Sequence, residues 1–176
     1  MKNILIVLIS LLFFSCNHDI PIANIEFVKI EKNNKYENSF FIYFSSDVEL
    51  IENLQKEHFG TPRIDCFFKN ERINKKDFTN YKGHILNSVG DLELISKKIK
   101  YNYKIEVFFE QKGVEKYSNN PIKQGEKVLK KLQEDFDKQT ECANCVVTSV
   151  TFMNTTKRYI SSSMCLPKEE IKRVLK

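Results

Sequence analysis

One strand constrains the fold of this chain more than any other segment. Between residues 101 and 110, apolar side chains occupy every second position and most of the residues between them are polar. The apolar set is Tyr101, Tyr103, Ile105, Val107 and Phe109. Because side chains of a β-strand alternate between the two faces of a sheet, this pattern predicts one face on a core and one in water. Such one-sided burial is typical of antiparallel sheets.

The rest of the sequence predicts an α+β fold, mainly an antiparallel β-sheet with about three helices. A high content of Phe and Tyr, together with many β-branched residues, favours sheet. We expect the helices at residues 47–59, 121–139 and 167–175. The alternative is an immunoglobulin-like β-sandwich for residues 24–118 with a C-terminal α+β extension. Its strand spacing fits, but a helix at 47–59 fits it poorly.

The first of these helices has boundary signals at both ends. Ser46 and Glu49 have the spacing of a capping box, in which each side chain accepts a hydrogen bond from the other residue's backbone N–H. Gly60 suits a left-handed cap at the C-terminal end, and Pro62 prevents the helix from continuing.

A short hydrophobic segment opens the chain. Lys2 supplies a positive charge, residues 4–14 are apolar apart from Ser10, and Ser15-Cys16 follows. This run is too short for a membrane-spanning helix, which needs about 20 residues, and it has the length of the central region of a secretory signal. The order of these features predicts export, with residues 1–15 as the signal peptide. The alternative is a buried hydrophobic strand at the N-terminus.

The sequence Phe13-Phe14-Ser15-Cys16 resembles the lipobox of bacterial lipoproteins. The resemblance covers only the first sixteen residues. It implies that Cys16 is lipidated and becomes the first residue of the mature chain, with the lipid bilayer as its partner. The implied location is the cell envelope, at the outer membrane, facing the periplasm or the cell surface. Residues 16–23 are then a lipidated tether, and the length of residues 24–176 fits a single α+β domain.

Four cysteines remain in the expected domain, namely Cys66, Cys142, Cys145 and Cys165. An even number in an exported chain predicts two disulfides. A three-residue hairpin loop at 154–156 would place Cys145 opposite Cys165, so we predict the pairs Cys145–Cys165 and Cys66–Cys142. The alternatives are unpaired buried thiols, a metal site, or a redox motif at Cys142-Ala-Asn-Cys145. The β-branched residues after Cys145 predict a strand, whereas a redox dithiol needs a helix N-terminus.

The sequence contains no motif for catalysis or for cofactor binding. A nucleophile elbow, a zinc-protease motif, a phosphate loop and a dinucleotide fingerprint are all missing. We therefore expect no catalytic residue, no metal and no cofactor, and a non-enzymatic envelope lipoprotein with a binding role. Immunity to a toxin delivered to the periplasm is one form of that role. The alternatives are a structural component of an envelope assembly, or an enzyme whose site forms only in three dimensions.

Positive charge is concentrated in one part of the chain. Removal of Lys2 with the signal lowers the net charge from +5 to +4, while residues 63–104 alone carry ten basic and five acidic residues. The compartment excludes nucleic acid as a partner. We expect a surface that faces an unknown protein or an anionic envelope polymer, and the alternative is a solvated face. Its expected residues are Lys97, Lys98, Lys100, Tyr101, Tyr103 and Lys104.

Overall fold

The computed structural model describes residues 20–36, 39–67, 84–88, 90–111, 141–151 and 157–175. Strands make up 56% of these residues, so the described part of the chain is mainly sheet. The strands are β1 (Ile25–Lys32), β2 (Ser39–Ser46), β3 (Arg63–Phe67), β4 (His84–Ser88), β5 (Glu93–Lys97), β6 (Tyr101–Gln111), β7 (Cys142–Val150), β8 (Arg158–Ile160) and β9 (Met164–Pro167). The helices are α1 (Leu50–Lys56) and α2 (Lys168–Leu175).

All of these strands belong to one antiparallel sheet, which curls into half a barrel. The order across the sheet is β1-β2-β6-β4-β3-β7-β8. β5 pairs with the beginning of β6, beyond the segment that pairs with β4. In the same way β9 pairs with the beginning of β7, while β8 pairs with its end. Buried side chains from the sheet and from both helices form one core.

The structure confirms the mainly antiparallel sheet. In β6, Tyr103, Ile105 and Val107 are buried in the core, whereas Asn102 and Lys104 are half-buried on the other face. The side chain of Phe109 lies outside the described residues, and so does the helix predicted at 121–139.

The immunoglobulin-like alternative was wrong for the described part of the chain. It required a separate sandwich within residues 24–118, but β3 pairs directly with β7. Strands from both sides of residue 118 therefore share one sheet. The helix predicted at 167–175 is confirmed as α2, which begins at Lys168 because Pro167 is the last residue of β9.

The two outer edges of the curled sheet are linked by hydrogen bonds. The Ser162 N–H donates to the Ala23 carbonyl at 2.9 Å, and the Ala23 N–H donates to the Tyr159 hydroxyl at 3.0 Å. Further along β1, the Arg173 guanidinium of α2 donates to the Ile30 carbonyl at 2.8 Å. The segment before β1 and the helix α2 thus fasten the first strand to the C-terminal part of the chain.

Strand β1 is irregular in its middle. Its register against β2 shifts between Phe27 and Lys29, which leaves Val28 as an extra residue. The Val28 side chain is exposed. A bulge of this kind bends the strand and interrupts its ladder of hydrogen bonds.

Helix α1 is shorter than the predicted range 47–59, and the predicted capping box was wrong. Ser46 is still part of β2, where it pairs with Ile25, and its hydroxyl bonds to the backbone of Val48. Glu49 caps the helix instead, since its carboxylate accepts a hydrogen bond from the Glu52 N–H at 2.5 Å. A residue held in a sheet on both sides cannot also adopt the position of a helix cap.

The C-terminal end of α1 forms a Schellman motif with histidine in the left-handed position. His58 has φ of 58°, its N–H donates to Gln55 O at 3.0 Å, and the Phe59 N–H donates to Leu54 O at 2.9 Å. The prediction of Gly60 as the cap was therefore wrong by two residues. The Gly60 N–H instead donates to Val150 O at 2.8 Å, which joins this loop to β7.

We expect His58→Gly to raise the free energy of unfolding by about 0.5–1 kcal/mol, because a left-handed backbone costs a residue with a Cβ roughly 1–2 kcal/mol, and part of this gain is offset by unfolded-state entropy. Urea unfolding measures the change. The control is Lys56→Gly in the last helical turn, which should lower stability by up to about 1 kcal/mol. Loss of stability in both variants would contradict the assignment of His58 to the left-handed position.

Candidate interaction surface

The four cysteines of the domain form two disulfides, Cys66–Cys145 and Cys142–Cys165. The predicted pairs Cys145–Cys165 and Cys66–Cys142 were therefore wrong. β9 pairs with β7 one position away from the predicted register, so Cys165 lies opposite Asn144. Cys145 lies directly opposite Cys66 on its other neighbour, β3. The rule that opposed residues can form a bridge holds, but it applies to a different pair of strands.

The two disulfides lie on opposite faces of β7. Cys66 and Cys145 are both 0% exposed in the core, whereas Cys165 is exposed and Cys142 is half-buried. Cys142 and Cys145 are three residues apart in a strand, so their side chains point to opposite faces. The Cys142-Ala-Asn-Cys145 segment is thus divided between two structural bridges and forms no dithiol pair of its own.

The residues predicted to bind a partner lie on the β5–β6 hairpin, in different environments. Lys97 ends β5, and the Lys98 N–H donates to Lys100 O at 3.3 Å, which closes the turn. Tyr101 is the first residue of β6 and is half-buried. The Lys97 ammonium lies 5.9 Å from the centre of the Tyr101 ring.

Tyr103 does not belong to any exposed surface, and its inclusion was wrong. Its side chain is 0% exposed, and its ring stacks on Phe44 with centroids 5.4 Å apart. The hydroxyl accepts a hydrogen bond from the Leu50 N–H at 2.7 Å and donates to the Glu49 carboxylate at 3.2 Å. Burial raises the pKa of this hydroxyl well above its usual value. Tyr103 therefore positions the beginning of α1 from within the core.

Lys104 lies on the outer face of the sheet, where ammonium groups cover aromatic rings. Its Nζ is 4.3 Å from the centre of the Phe41 ring and 3.6 Å from the Glu93 carboxylate. Lys29 covers Tyr43 in the same way at 4.3 Å. Rings covered on one side by a cation gain a cation–π attraction and offer less surface for stacking a ligand. The charged and aromatic side chains on this part of the outer face therefore already interact with one another.

In the part of the chain that the structure describes, the most exposed large apolar side chain lies in the turn at residues 97–100, which we call the hairpin tip. Ile99, at its centre, is 99% exposed, and Lys97 and Lys98 are also exposed. Lys100 is held to β1, because its Nζ is 2.5 Å from the Glu26 carboxylate. Among the residues that the structure describes, no carboxylate forms an ion pair with Lys97 or Lys98. Ile99 was not among the predicted partner-binding residues, although an isoleucine within a Lys-rich segment is visible in the sequence.

Acidic side chains surround the base of the hairpin tip. Hydrogen bonds from Asn24 hold the pKa of Asp47 below its usual value, and the charge of Lys100 adds to this effect. For Glu52, hydrogen bonding to Lys56 is the main cause of a lowered pKa, and Lys97 contributes. The lysines at the base of the tip thus act electrostatically on acidic side chains of the neighbouring segments.

The tip lies at the end of the sheet where the chain enters the domain. Ile25 pairs with Ser46, and Ser46 pairs with Tyr101, so the beginnings of β1 and β6 lie at the same end. The Asn24 N–H donates to the carboxylate of Asp47 at 2.8 Å, which fixes the entering chain beside the end of β2. The predicted signal peptide and Cys16 lie outside the described residues.

Comparison with known proteins finds no match to a family model, to a curated protein or to a solved structure. Within the described ranges, neither helix has the length and apolar character needed to cross a membrane. The same residues contain no group of three or more His, Cys, Asp or Glu side chains placed to hold a metal ion.

We expect a mild water-soluble reductant to open Cys142–Cys165 before Cys66–Cys145, because thiol–disulfide exchange needs access to sulfur. Alkylation followed by non-reducing peptide mapping should label Cys142 and Cys165 in the native state. The buried pair should react only in denaturant. Simultaneous labelling of all four cysteines in the folded protein, or recovery of a Cys145–Cys165 peptide, would contradict this assignment.

We also expect stability to fall above about pH 10. Burial raises the pKa of Tyr103 and of Tyr159 above that of an unfolded tyrosine, which is about 10. Below this pH both states keep these protons, so the full stability is present. Above it, the unfolded chain releases protons that the native hydroxyls retain, and the free energy of unfolding decreases.

Tyr103→Phe tests the contribution of that hydroxyl. At neutral pH it should lower the free energy of unfolding by about 1–3 kcal/mol, because the Leu50 N–H loses its acceptor. Between neutral and alkaline pH, the free energy of unfolding of the variant should also decrease less than that of the wild type. Urea unfolding at several pH values measures both effects, with the exposed Tyr36→Phe as control. If the free energy of unfolding of Tyr103→Phe fell at alkaline pH as steeply as that of the wild type, Tyr103 would not contribute to this pH dependence.

Proposed function

We propose that this protein is a lipoprotein of the cell envelope, anchored through Cys16, which acts by binding and not by catalysis. The observation that carries the proposal is the pair of disulfides in the domain. Disulfides form and persist in oxidising compartments outside the cytosol. An exported chain with a cysteine directly after an apolar signal segment fits that compartment.

The buried disulfide stabilises the fold, and an oxidising compartment is needed to keep it formed. Cys66 and Cys145 are 79 residues apart in the sequence and join β3 to β7. On the chain-entropy model, closing a loop of this length stabilises the folded state by about 4.5 kcal/mol. A domain that depends on such a bridge is suited to the periplasm or the cell surface. Anchorage at the outer membrane is the location that we favour.

The described surface supports a binding role. Several of its charged side chains are ion-paired or lie over aromatic rings, whereas at the hairpin tip Lys98 is exposed beside Ile99, the most exposed large apolar side chain among the described residues. A cation-rich turn with an exposed apolar side chain is suited to contact with another surface. The candidate partners are the lipid bilayer, an unknown protein or an anionic envelope polymer.

Lipidation of Cys16 is the direct test of this proposal. When cells that express the full chain are grown with a palmitate analogue, the wild-type protein should become labelled. Cys16→Ser should abolish the label and release the protein from the membrane fraction. Several acyl chains on one cysteine anchor a protein stably, so the two forms should fractionate differently. Ser15→Ala keeps a small residue before the cysteine and should retain the label. An unlabelled, soluble wild-type protein would overturn the anchor.

A further inference from the structure

The hairpin tip and the entering chain extend from the same end of the domain. The tip follows β5 and precedes β6, whose first residue is aligned with the end of β2 and the beginning of β1. The ion pair between Lys100 and Glu26 fixes the tip beside the beginning of β1. A bilayer that holds the N-terminal end of the domain would therefore also lie close to the tip.

The distance available to the tether is short. Ile20, which already packs against the core, follows Cys16 by only four positions. A fully extended chain spans roughly 3.3–3.6 Å per residue, so this segment reaches about 14 Å. An anchor at Cys16 would keep Ile20 within that range of the lipid headgroups, and Ile20 lies only four residues before Asn24, at the end of the sheet that carries the tip.

The side chains of the tip match the chemistry of a lipid headgroup region. Lys97 and Lys98 are exposed and directly precede Ile99, which is 99% exposed to water. Lysine extends its ammonium towards phosphate groups while its methylene stem lies against apolar surface. An isoleucine at the same point gains from leaving water. Anionic lipids attract juxtamembrane lysines, and the attraction decreases with salt.

The same features fit a protein partner less well. Specific protein interfaces bury about 800 Å² on each side, whereas the tip offers four residues with one apolar side chain. Within the described residues, the acidic side chains of Glu26, Asp47 and Glu52 lie near its base and interrupt the basic surface there. A small contact is sufficient at a membrane, because an anchor makes the second contact intramolecular.

We propose that the hairpin tip, residues 97–100, rests on the anionic lipid surface to which Cys16 anchors the chain. The proposal rests on the proposed function as a lipid-anchored protein and adds the orientation of the domain. Lys97 and Lys98 bind lipid phosphates, and Ile99 inserts between the headgroups. The turn between β1 and β2, with the exposed Tyr36, lies at the opposite end of the sheet and faces away from the bilayer.

The absence of tryptophan from the chain gives a direct probe, because Ile99→Trp introduces a single indole fluorophore at the tip. The chain from residue 16 contains every described strand and helix. Cys16 is the one cysteine outside the two disulfides, so its thiol can be coupled to a maleimide phospholipid in vesicles. This coupling supplies the anchor whether or not cells lipidate the protein.

We expect the indole emission of the Ile99→Trp variant to shift to the blue, and to be quenched by bromine-labelled lipid, on vesicles that contain phosphatidylglycerol. Phosphatidylcholine vesicles should give a smaller effect. Tyr36→Trp, at the other end of the sheet, should respond to neither. Lys97→Glu with Lys98→Glu, added to Ile99→Trp, should reduce the ratio of bound to free tip roughly tenfold or more. Lys32→Glu with Lys35→Glu changes the net charge equally at the opposite end and should have little effect.

Equal emission of the Ile99→Trp variant on anionic and neutral vesicles would overturn the proposal, and so would an equal effect of the two double variants. A tip that stays in water on vesicles but is shielded from acrylamide in isolated envelopes would also overturn it, in favour of a protein partner. Urea unfolding of each variant confirms the fold. Failure of palmitate labelling would refute the natural anchor but not this contact, since the vesicle anchor is chemical.

Discussion

The structure depends on the antiparallel pairing of β3 with β7. These strands are distant in sequence, yet Cys66 and Cys145 lie opposite each other at 0% exposure and are covalently joined. Five described strands lie beyond β3 on one side of this junction and two lie on the outer side of β7. Without the junction, each part would be an open sheet with an exposed core face. The disulfide thus secures the contact that makes the two parts a single core.

A second constraint comes from the polar interior beside α1. The Tyr103 hydroxyl bonds to both the Glu49 carboxylate and the Leu50 N–H. Strand β6, which carries Tyr103, therefore also fixes the first turn of α1. The same end of the sheet holds Asn24 against Asp47. These contacts place the helix, the entering chain and the β5–β6 hairpin in a fixed relation. The orientation that we propose for the domain at a membrane depends on that relation.

Features that depend on local pattern could be predicted from the sequence. The alternation in β6 identified its core face, and the charge distribution and Pro167 identified α2 to within a residue. Features that depend on tertiary pairing could not. A shift of one residue between β7 and β9 changed the partner of Cys165, and the membership of Ser46 in β2 moved the helix cap to Glu49. The exposure of Ile99 likewise depends on a turn that nothing else in the described structure covers.

The bulge at Val28 affects how the edge strand β1 can interact with neighbouring copies of the domain. An edge strand offers unpaired backbone groups to neighbouring sheets, and proteins held on a membrane meet their own copies at high local density. β1 is such an edge, but its ladder is broken at Val28, and Ser162 and Arg173 occupy carbonyls just before the strand and near its end. A second copy would find no continuous row of free donors and acceptors. Edge-to-edge pairing of β1 with the sheet of a second copy is therefore disfavoured.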